Sequence, residues 1–126
     1  MMRFLAVGAG GFIGACLRYG IGLIVVRRWG IAFPYATLAV NVLGCLAIGV
    51  VLGVIEEREL LSETTRLFLA VGVLGAFTTF STFGYETLRL MRDGQPGLAL
   101  GNALANVLLG VGAVWLGWAT VRLLEA

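Results

Sequence analysis

Four apolar stretches, separated by short runs of charged and turn-forming residues, follow one another along the chain at 4–26, 31–55, 67–85 and 97–121. Each is long enough to cross a bilayer, since about 20 helical residues at about 1.5 Å each span its roughly 30 Å hydrocarbon core. Backbone groups in lipid must hydrogen-bond internally, which favours helices. The pattern therefore predicts an all-α membrane protein, a single domain over residues 1–126 with four transmembrane helices.

The joins between the stretches are too short to hold an extramembrane domain. They comprise residues 27–30, 56–66 and 89–96. Aromatic residues typical of interfacial anchors stand at the first join and near the end of the last stretch: Trp29, Phe33, Tyr35, Trp115 and Trp118. The basic, apolar start is similar to a signal peptide, but its removal would leave three helices with an orphaned face, so we expect it to be retained.

The composition excludes a soluble globular domain. Of the 126 residues, 60% are hydrophobic and 13% are charged, with a mean hydropathy of +0.98. Soluble proteins average about a quarter charged residues. The net charge of +2 is small and dispersed, so no nucleic-acid partner is predicted. The chain has no His, and Cys16 and Cys45 stand alone in apolar stretches, which predicts neither a zinc site nor a redox CxxC pair.

The arginines flank the predicted helices in equal numbers on both sides of the membrane. One side carries Arg3, Arg58, Arg66 and Arg122, and the other carries Arg27, Arg28, Arg89 and Arg92. Orientation follows the Lys/Arg asymmetry of short loops, so an even tally provides no preferred direction. We therefore expect dual topology, in which inverted copies pair as an antiparallel homodimer. The alternative is that one arginine dominates and fixes a single orientation.

The groups available at membrane depth are too few for an enzyme. The apolar stretches hold no His, Asp or Lys, and Glu86 stands at the edge of the third. Glycine is abundant instead, with 19 residues, and pairs such as Gly10 with Gly14 and Gly49 with Gly53 have helix-packing spacing. We expect close helix packing, oligomerisation and no catalysis.

The third stretch contains the densest polar cluster, GVLGAFTTFSTFG at 72–84. Gly lowers helix propensity, and Ser and Thr side chains compete for backbone hydrogen bonds, so the sequence predicts a helix broken near its middle, at 75–79. Unwound carbonyls at membrane depth are ligands for Na⁺, and half-helix N-termini favour anions. The alternative is a packed Thr/Phe seam without a ligand.

Phe80 and Phe83 are three residues apart and therefore share a helical face, beside the hydroxyls of Ser81 and Thr82. Aromatic rings have positive edges, and hydroxyls donate hydrogen bonds, so the cluster is suited to a small, strongly hydrated anion. Weak, multiple contacts allow such an ion to leave again, as conduction requires. A Phe pair that belongs only to the core is the alternative.

Polar residues also stand within the other three stretches. Asn41 lies in the second, and Asn102 and Asn106 share a helical face in the fourth, continued by Gly110. Amides in lipid need partners or water, which predicts a shared polar cleft; interhelical hydrogen bonding alone is the alternative.

Arg18 is the one charge well inside a stretch, and we expect it to face a wet vestibule, where it attracts anions, or backbone carbonyls.

Several of these segments together resemble one family, the Fluc (CrcB) fluoride channels. The matching strings are GGFIG at 10–14 with RY at 18–19, TLAVNVLG at 37–44, and GVLGAFTTFSTF at 72–83. The resemblance covers essentially the whole chain. It implies a dual-topology antiparallel homodimer in the lipid bilayer of the cell inner (plasma) membrane, with two pores that passively export fluoride and relieve its toxicity, and with a structural Na⁺ at the dimer centre.

The resemblance also implies residue roles. Gly75 and Thr78 correspond to the residues whose main-chain oxygens bind Na⁺, Phe80 and Phe83 to the pore phenylalanines, Asn41 to the pore asparagine and Arg18 to the vestibule arginine. The fourth-helix track of the family is rich in Ser and Thr, from which Asn102, Asn106 and Gly110 depart.

Three other functions fit the same helix count. A small multidrug-resistance transporter also has four helices and dual topology, but needs a membrane-embedded carboxylate that the first stretch lacks. A fluoride–proton antiporter would use the same residues as a channel. A membrane scaffold would transport nothing.

Overall fold

A computed structural model describes residues 1–58 and 61–125, with side chains over 1–56 and 61–124, and these residues are helical apart from short joins. The helices are α1 (Met2–Trp29), α2 (Tyr35–Arg58), α3 (Glu63–Arg66), α4 (Gly75–Phe77), α5 (Phe80–Arg92) and α6 (Pro96–Glu125), with a π-helical segment, Leu67–Leu74, between α3 and α4. Four spans have the length and hydropathy to cross a membrane: Met2–Trp29, Tyr35–Glu56, Glu63–Arg92 and Pro96–Leu124. The predicted four-helix architecture is confirmed.

The second helix begins later than the hydrophobic pattern predicts. Residues 31–33 are apolar but lie in the turn after α1, which ends where Gly30 adopts a φ of 74°. Proline lacks an N–H and suits the start of a helix, and the Leu38 N–H donates to the Pro34 carbonyl at 3.1 Å. Local turn chemistry therefore fixes this boundary.

Two long-range contacts define one end of the helix bundle. Arg3 Nη2 lies 2.6 Å from Glu63 Oε2, which joins the start of α1 to the start of the third span. The Trp118 indole N–H donates to Glu56 Oε2 at 2.8 Å, which joins the end of α2 to the end of α6. The N-terminus, the middle join and the end of α6 therefore lie together, as predicted, although part of that join and the Arg58 side chain lie outside the described residues.

Glycines bring the helix backbones into contact in two places. A Cβ at Gly10 or Gly14 of α1 would overlap backbone atoms of the π-helical segment, the Val73 carbonyl above all. A Cβ at Gly49 would likewise overlap the Val114 carbonyl of α6. The predicted close packing is confirmed, and it lies within one chain, so the glycine rows do not by themselves point to a partner. Many large apolar side chains remain exposed, which suits a lipid-facing surface.

The third span is interrupted where the sequence predicts it. Its first half is π-helical from Leu67 to Leu74 and α-helical from Gly75 to Phe77. Thr78 and Thr79 are extended, with φ/ψ of −82°/160° and −150°/113°, and α5 begins at Phe80. The break therefore falls at the last two positions of the predicted window, and the π-helical segment has no counterpart in the sequence prediction.

Candidate ion-binding site at the helix break

Asn41 of α2 supplies the hydrogen bonds that the break removes. In a continuous helix the Thr79 N–H would donate to the Gly75 carbonyl, but here it donates to Asn41 Oδ1 at 2.8 Å. Asn41 Nδ2 in turn donates to the Thr79 carbonyl at 3.2 Å. The amide thus binds the extended residue through both of its backbone groups, as a neighbouring strand would, and so satisfies them at membrane depth.

The break also changes the surroundings of two carbonyls, those of Gly75 and Thr78. The Gly75 carbonyl loses the Thr79 N–H. The Thr82 N–H donates to Thr79 Oγ1 at 3.2 Å, so Thr79 caps α5, and this N–H does not donate to the Thr78 carbonyl as it would in a continuous helix. Arg18 Nη1 contacts the Thr78 carbonyl at 3.4 Å, at the limit of a hydrogen bond. The break therefore presents backbone oxygens that lack their helical partners.

Backbone carbonyls are the cation ligands that this region offers. Among the described residues, no group of three or more His, Cys, Asp or Glu side chains comes together to hold a metal ion. Carbonyl oxygens released by a helix break suit a hard cation such as Na⁺. Gly75 and Thr78, which the family resemblance assigns to Na⁺, are thus chemically appropriate, although two oxygens from one chain do not surround an ion.

An open groove of about 400 Å³ runs along the break between α2, the third span and α6. The residues that line it include Asn41, Gly75, Thr78, Phe80, Phe83 and Asn106. Among the described residues of this first groove, none carries a formal charge. The predicted cleft is therefore present but mostly apolar: its polar residues are Asn41, Thr78, Thr79 and Asn106, among glycine, aliphatic and aromatic residues.

Phe80 and Phe83 stand side by side at the start of α5. Their ring centroids are 5.4 Å apart with the planes tilted by 52°, which confirms that they share a face. The Phe80 side chain is 84% exposed, far more than a core residue would be. Thr79 Oγ1 lies 2.9 Å from Thr82 Oγ1 and 3.4 Å from Ser81 Oγ, so three hydroxyls gather at the positive end of this helix.

Arg18 lines a second groove, of about 420 Å³, on the other side of the break. Tyr19, Thr82 and Glu86 are among its other lining residues, and Thr79 lines both grooves. Arg18 is half-buried, so its guanidinium is placed between the groove and the Thr78 carbonyl. The predicted contact with a backbone carbonyl is present, and the predicted role of Arg18 in attracting anions in a vestibule stays a prediction.

The two asparagines of α6 belong to one hydrogen-bonded network with Asn41. Asn41 Nδ2 donates to Asn106 Oδ1 at 2.9 Å, and Asn106 Nδ2 donates to the side-chain and main-chain oxygens of Asn102, each at 3.0 Å. Asn102 is completely buried, and its Nδ2 donates to Thr87 Oγ1 at 2.9 Å. Gly110, predicted on the same track, packs instead beside Cys45.

Sequence reasoning missed Thr87. Its hydroxyl accepts from Asn102 and donates to the Phe83 carbonyl one turn earlier, at 2.7 Å. A signal was available, because Phe80, Phe83 and Thr87 follow the i, i+3, i+7 spacing of one helical face.

The fold and the site together define a small four-span membrane protein with a broken third span beside an uncharged groove. A family model described as "CrcB-like protein, Camphor Resistance (CrcB)" matches residues 5–118, and the chain belongs to this family. Similar proteins include the fluoride-specific ion channel FluC of Chloroflexus aurantiacus (strain J-10-fl), which is 50% identical over 117 residues, 93% of either chain. A FluC of Thermus thermophilus is 48% identical over 118 residues, 94% of either chain. FluC 3 of Methanosarcina barkeri is 44% identical over 117 residues, 93% of this chain and 88% of that one.

Proposed function

We propose that this protein is a fluoride-selective passive channel of the cell inner membrane that exports F⁻ and so relieves its toxicity. The observation that carries the proposal is the exposed Phe80 ring beside Phe83, at the positive end of α5, in a chain whose relatives are named fluoride-specific channels. Like those relatives it would transport an ion and catalyse no reaction. The first groove is the conduction route.

Fluoride is small and strongly hydrated, so a selective route must replace its water with several donors. The ring edges of Phe80 and Phe83 in the first groove are donors of this kind. The hydroxyls of Ser81 and Thr82 stand beside these rings at the start of α5, Thr82 on the second groove, and Asn41 and Asn106 add polar amide groups to the wall of the first groove. Its described wall carries no formal charge, which allows an ion to bind and then leave. Arg18 in the second groove raises the local anion concentration.

Passive export follows from the acid–base chemistry of fluoride. Neutral HF crosses the bilayer, loses its proton in a less acidic cytoplasm and leaves F⁻ there above its outside concentration. A channel that admits only F⁻ then carries it outward along its own gradient, and no coupling machinery is required.

The working unit in this proposal is an antiparallel, dual-topology homodimer with two pores. The even arginine tally supports insertion in both directions. The first groove is open on one side and the Phe80 ring is 84% exposed, so an inverted second copy would close the conduction route. A two-fold axis in the membrane plane would then make both faces of the assembly equivalent.

A structural Na⁺ at the dimer centre fits the carbonyls at the break. The Gly75 and Thr78 carbonyls have lost their usual helical partners, and a two-fold axis beside them would bring four such oxygens together. The ion would supply attraction between the two breaks and hold the inverted copies in register. The Na⁺ would thus be structural, and the fluoride route would be lined by residues of the chain.

A fluoride electrode outside fluoride-loaded liposomes tests the proposed activity. A channel carries net charge, so purified protein should release fluoride only when valinomycin and K⁺ compensate that charge, with no pH gradient needed. Protein-free liposomes and chloride-loaded liposomes are the controls. Release that requires a pH gradient would indicate a fluoride–proton antiporter, and retention of fluoride would indicate a scaffold; either result overturns the proposal.

A cationic-drug exchange assay separates the remaining class, the small multidrug transporters. That chemistry needs a titrating carboxylate at membrane depth, for which Glu86 in the second groove is the candidate. The channel proposal expects no drug–proton exchange by the purified protein. Exchange that disappears in Glu86→Ala would contradict it.

Charge added at one end tests dual topology. Two lysines appended to the N-terminus should orient most copies one way, because loop charge sets orientation. Fluoride efflux should fall and return on co-expression with a variant that carries two lysines in the join after Arg28. Undiminished efflux from either variant alone would argue for a single functional orientation.

A further inference from the structure

Polar side chains on the wall of the first groove and directly behind it form a single hydrogen-bond relay. Its bonds all run in one direction, from donor to acceptor. It begins at a backbone N–H at the break and ends at a backbone carbonyl next to the pore ring of Phe83. Each bond is between 2.7 and 3.0 Å. In order, the donors and acceptors belong to Thr79, Asn41, Asn106, Asn102, Thr87 and Phe83.

Backbone groups fix the direction of this relay at both ends. Asn41 is held between the Thr79 N–H and the Thr79 carbonyl, so its amide has only one satisfactory orientation. At the other end the Thr87 hydroxyl donates to the Phe83 carbonyl and is therefore left to accept from Asn102. The intermediate amide of Asn106 must then accept on one side and donate on the other.

Both amide hydrogens of Asn41 are used within this network, one by the Thr79 carbonyl and one by Asn106 Oδ1. Turning the amide would break both of its bonds to the Thr79 backbone. Aligned hydrogen bonds in a low-dielectric interior also polarise and strengthen one another. The position of Asn41 in the first groove thus depends on the Thr79 backbone at one end and, through its bond to Asn106, on residues further along the relay.

We infer that Asn102 and Thr87 are positioning residues for conduction, which act through Asn106 and Asn41 to hold the break at a fixed distance from Phe83. The inference rests on the proposed fluoride-channel function. Asn41, Asn106, Thr79 and Phe83 line the first groove. Asn102 and Thr87 stand behind these residues and are not among those that line either groove, so they influence an ion there only through the relay.

The chain supplies a matched pair of threonines to test this. Thr87 and Thr120 each donate to the carbonyl four residues earlier at 2.7 Å, but only Thr87 also accepts from an asparagine. Thr→Val preserves shape and removes the hydroxyl. Thr87→Val should lower fluoride efflux by roughly fivefold, a coupling of the size seen along packed networks, whereas Thr120→Val should leave it unchanged. Thr87→Ser, which keeps the hydroxyl, should recover most of the efflux.

The fluoride-to-chloride permeability ratio distinguishes positioning from a general loss of folded protein. Misfolding scales both permeabilities equally, whereas a displaced Asn41 should lower the ratio in Thr87→Val. Asn102→Ser, with a side chain too short to reach Thr87, should lower the ratio as well and serves if Thr87→Val does not assemble. A wild-type ratio in an assembled variant, or equal losses in Thr87→Val and Thr120→Val, would overturn the inference. The wild-type protein in the same assay shows separately whether the channel function holds.

Discussion

The two halves of the third span differ in almost every physical property. The half before the break, residues 67–77, is apolar and lies directly on the backbone of α1 at Gly10 and Gly14. The half after the break begins with the exposed Phe80 ring and the cluster of hydroxyls, and its Thr87 bonds to α6 through side chains, while the break itself is bonded to α2 through Asn41. One half is packed by close backbone approach, and the other by directed hydrogen bonds.

This difference shows how a small membrane protein can release backbone carbonyls from a helix at membrane depth without a large core. Glycines let the first half pack backbone to backbone against α1, and the Gly75 and Thr78 carbonyls lie at its end. The second half is free of such packing at Phe80, which leaves rings and hydroxyls facing an open groove. Close backbone packing before the break therefore goes together with exposed rings after it.

The largest expected effect comes from disturbing the packed half. In Gly14→Ala the new Cβ would overlap the Val73 carbonyl, which is backbone and has no rotamer to escape to. We expect a loss of about 3 kcal/mol in folding stability, at the upper end of the overpacking range. Gly8→Ala on the same helix meets no atom within 4 Å and is the matched control. Thermal unfolding in detergent measures both, and equal melting temperatures would contradict the packing account.

Changing the exposed half should affect transport and leave the fold intact. Phe80→Ile or Phe83→Ile removes a ring edge from the first groove, and we expect roughly tenfold slower fluoride efflux, equivalent to about 1.4 kcal/mol. Phe4→Ile is the control, because Phe4 is 85% exposed, as Phe80 is at 84%, and lies at the start of α1. Unchanged efflux in assembled ring variants would remove the rings from the mechanism.

The cap of α5 tests how much the second half depends on the break itself. Thr79 Oγ1 accepts from the Thr82 N–H at 3.2 Å, and Thr79→Ala leaves that donor without its cap. Loss of an N-cap destabilises by about 1 kcal/mol. Thr79→Ser keeps the oxygen and should melt near the wild-type temperature. If both variants melt alike, the cap contributes nothing measurable.

The smallest effect is expected at the outer end of the first half. The Arg3–Glu63 pair is short, at 2.6 Å, but both side chains are more than 60% exposed. Exposed ion pairs contribute about 0.5 kcal/mol or less, and salt screens them further. A double-mutant cycle with Arg3→Gln and Glu63→Gln measures the coupling. A coupling well above 1 kcal/mol would contradict this, because it would exceed what an exposed ion pair contributes.

Much of the fold is predictable because hydropathy and local turn chemistry determine it. The four spans follow from uninterrupted apolar length, and the break follows from the low helix propensity of Gly75 and the hydroxyls of Thr78 and Thr79. The start of α2 required the geometry of Pro34, which hydropathy does not encode. The π-helical segment depends on how the third span fits against α1, a tertiary effect outside the sequence pattern.

The proximity of several candidate residues was predictable from the sequence, and their contacts only partly. Phe80 and Phe83 share a face by spacing alone, and Asn102 and Asn106 do so as well. The pairing of Asn41 with both backbone groups of Thr79 could not be predicted, because it joins residues 38 apart in the chain. Helix crossing geometry determines such contacts. The roles of Gly75 and Thr78 in binding Na⁺ stay predictions. So do the roles in the fluoride route of Arg18, Asn41, Phe80, Ser81, Thr82, Phe83 and Asn106.

The reversal potential of purified protein in a planar bilayer tests the central claim most directly. With a tenfold fluoride gradient and symmetric chloride and pH, a passive fluoride-selective channel should reverse at about 59 mV, with the sign set by fluoride alone. A simultaneous pH gradient should not move that value. A reversal potential that stays at zero under the fluoride gradient, or that follows pH, would contradict the account.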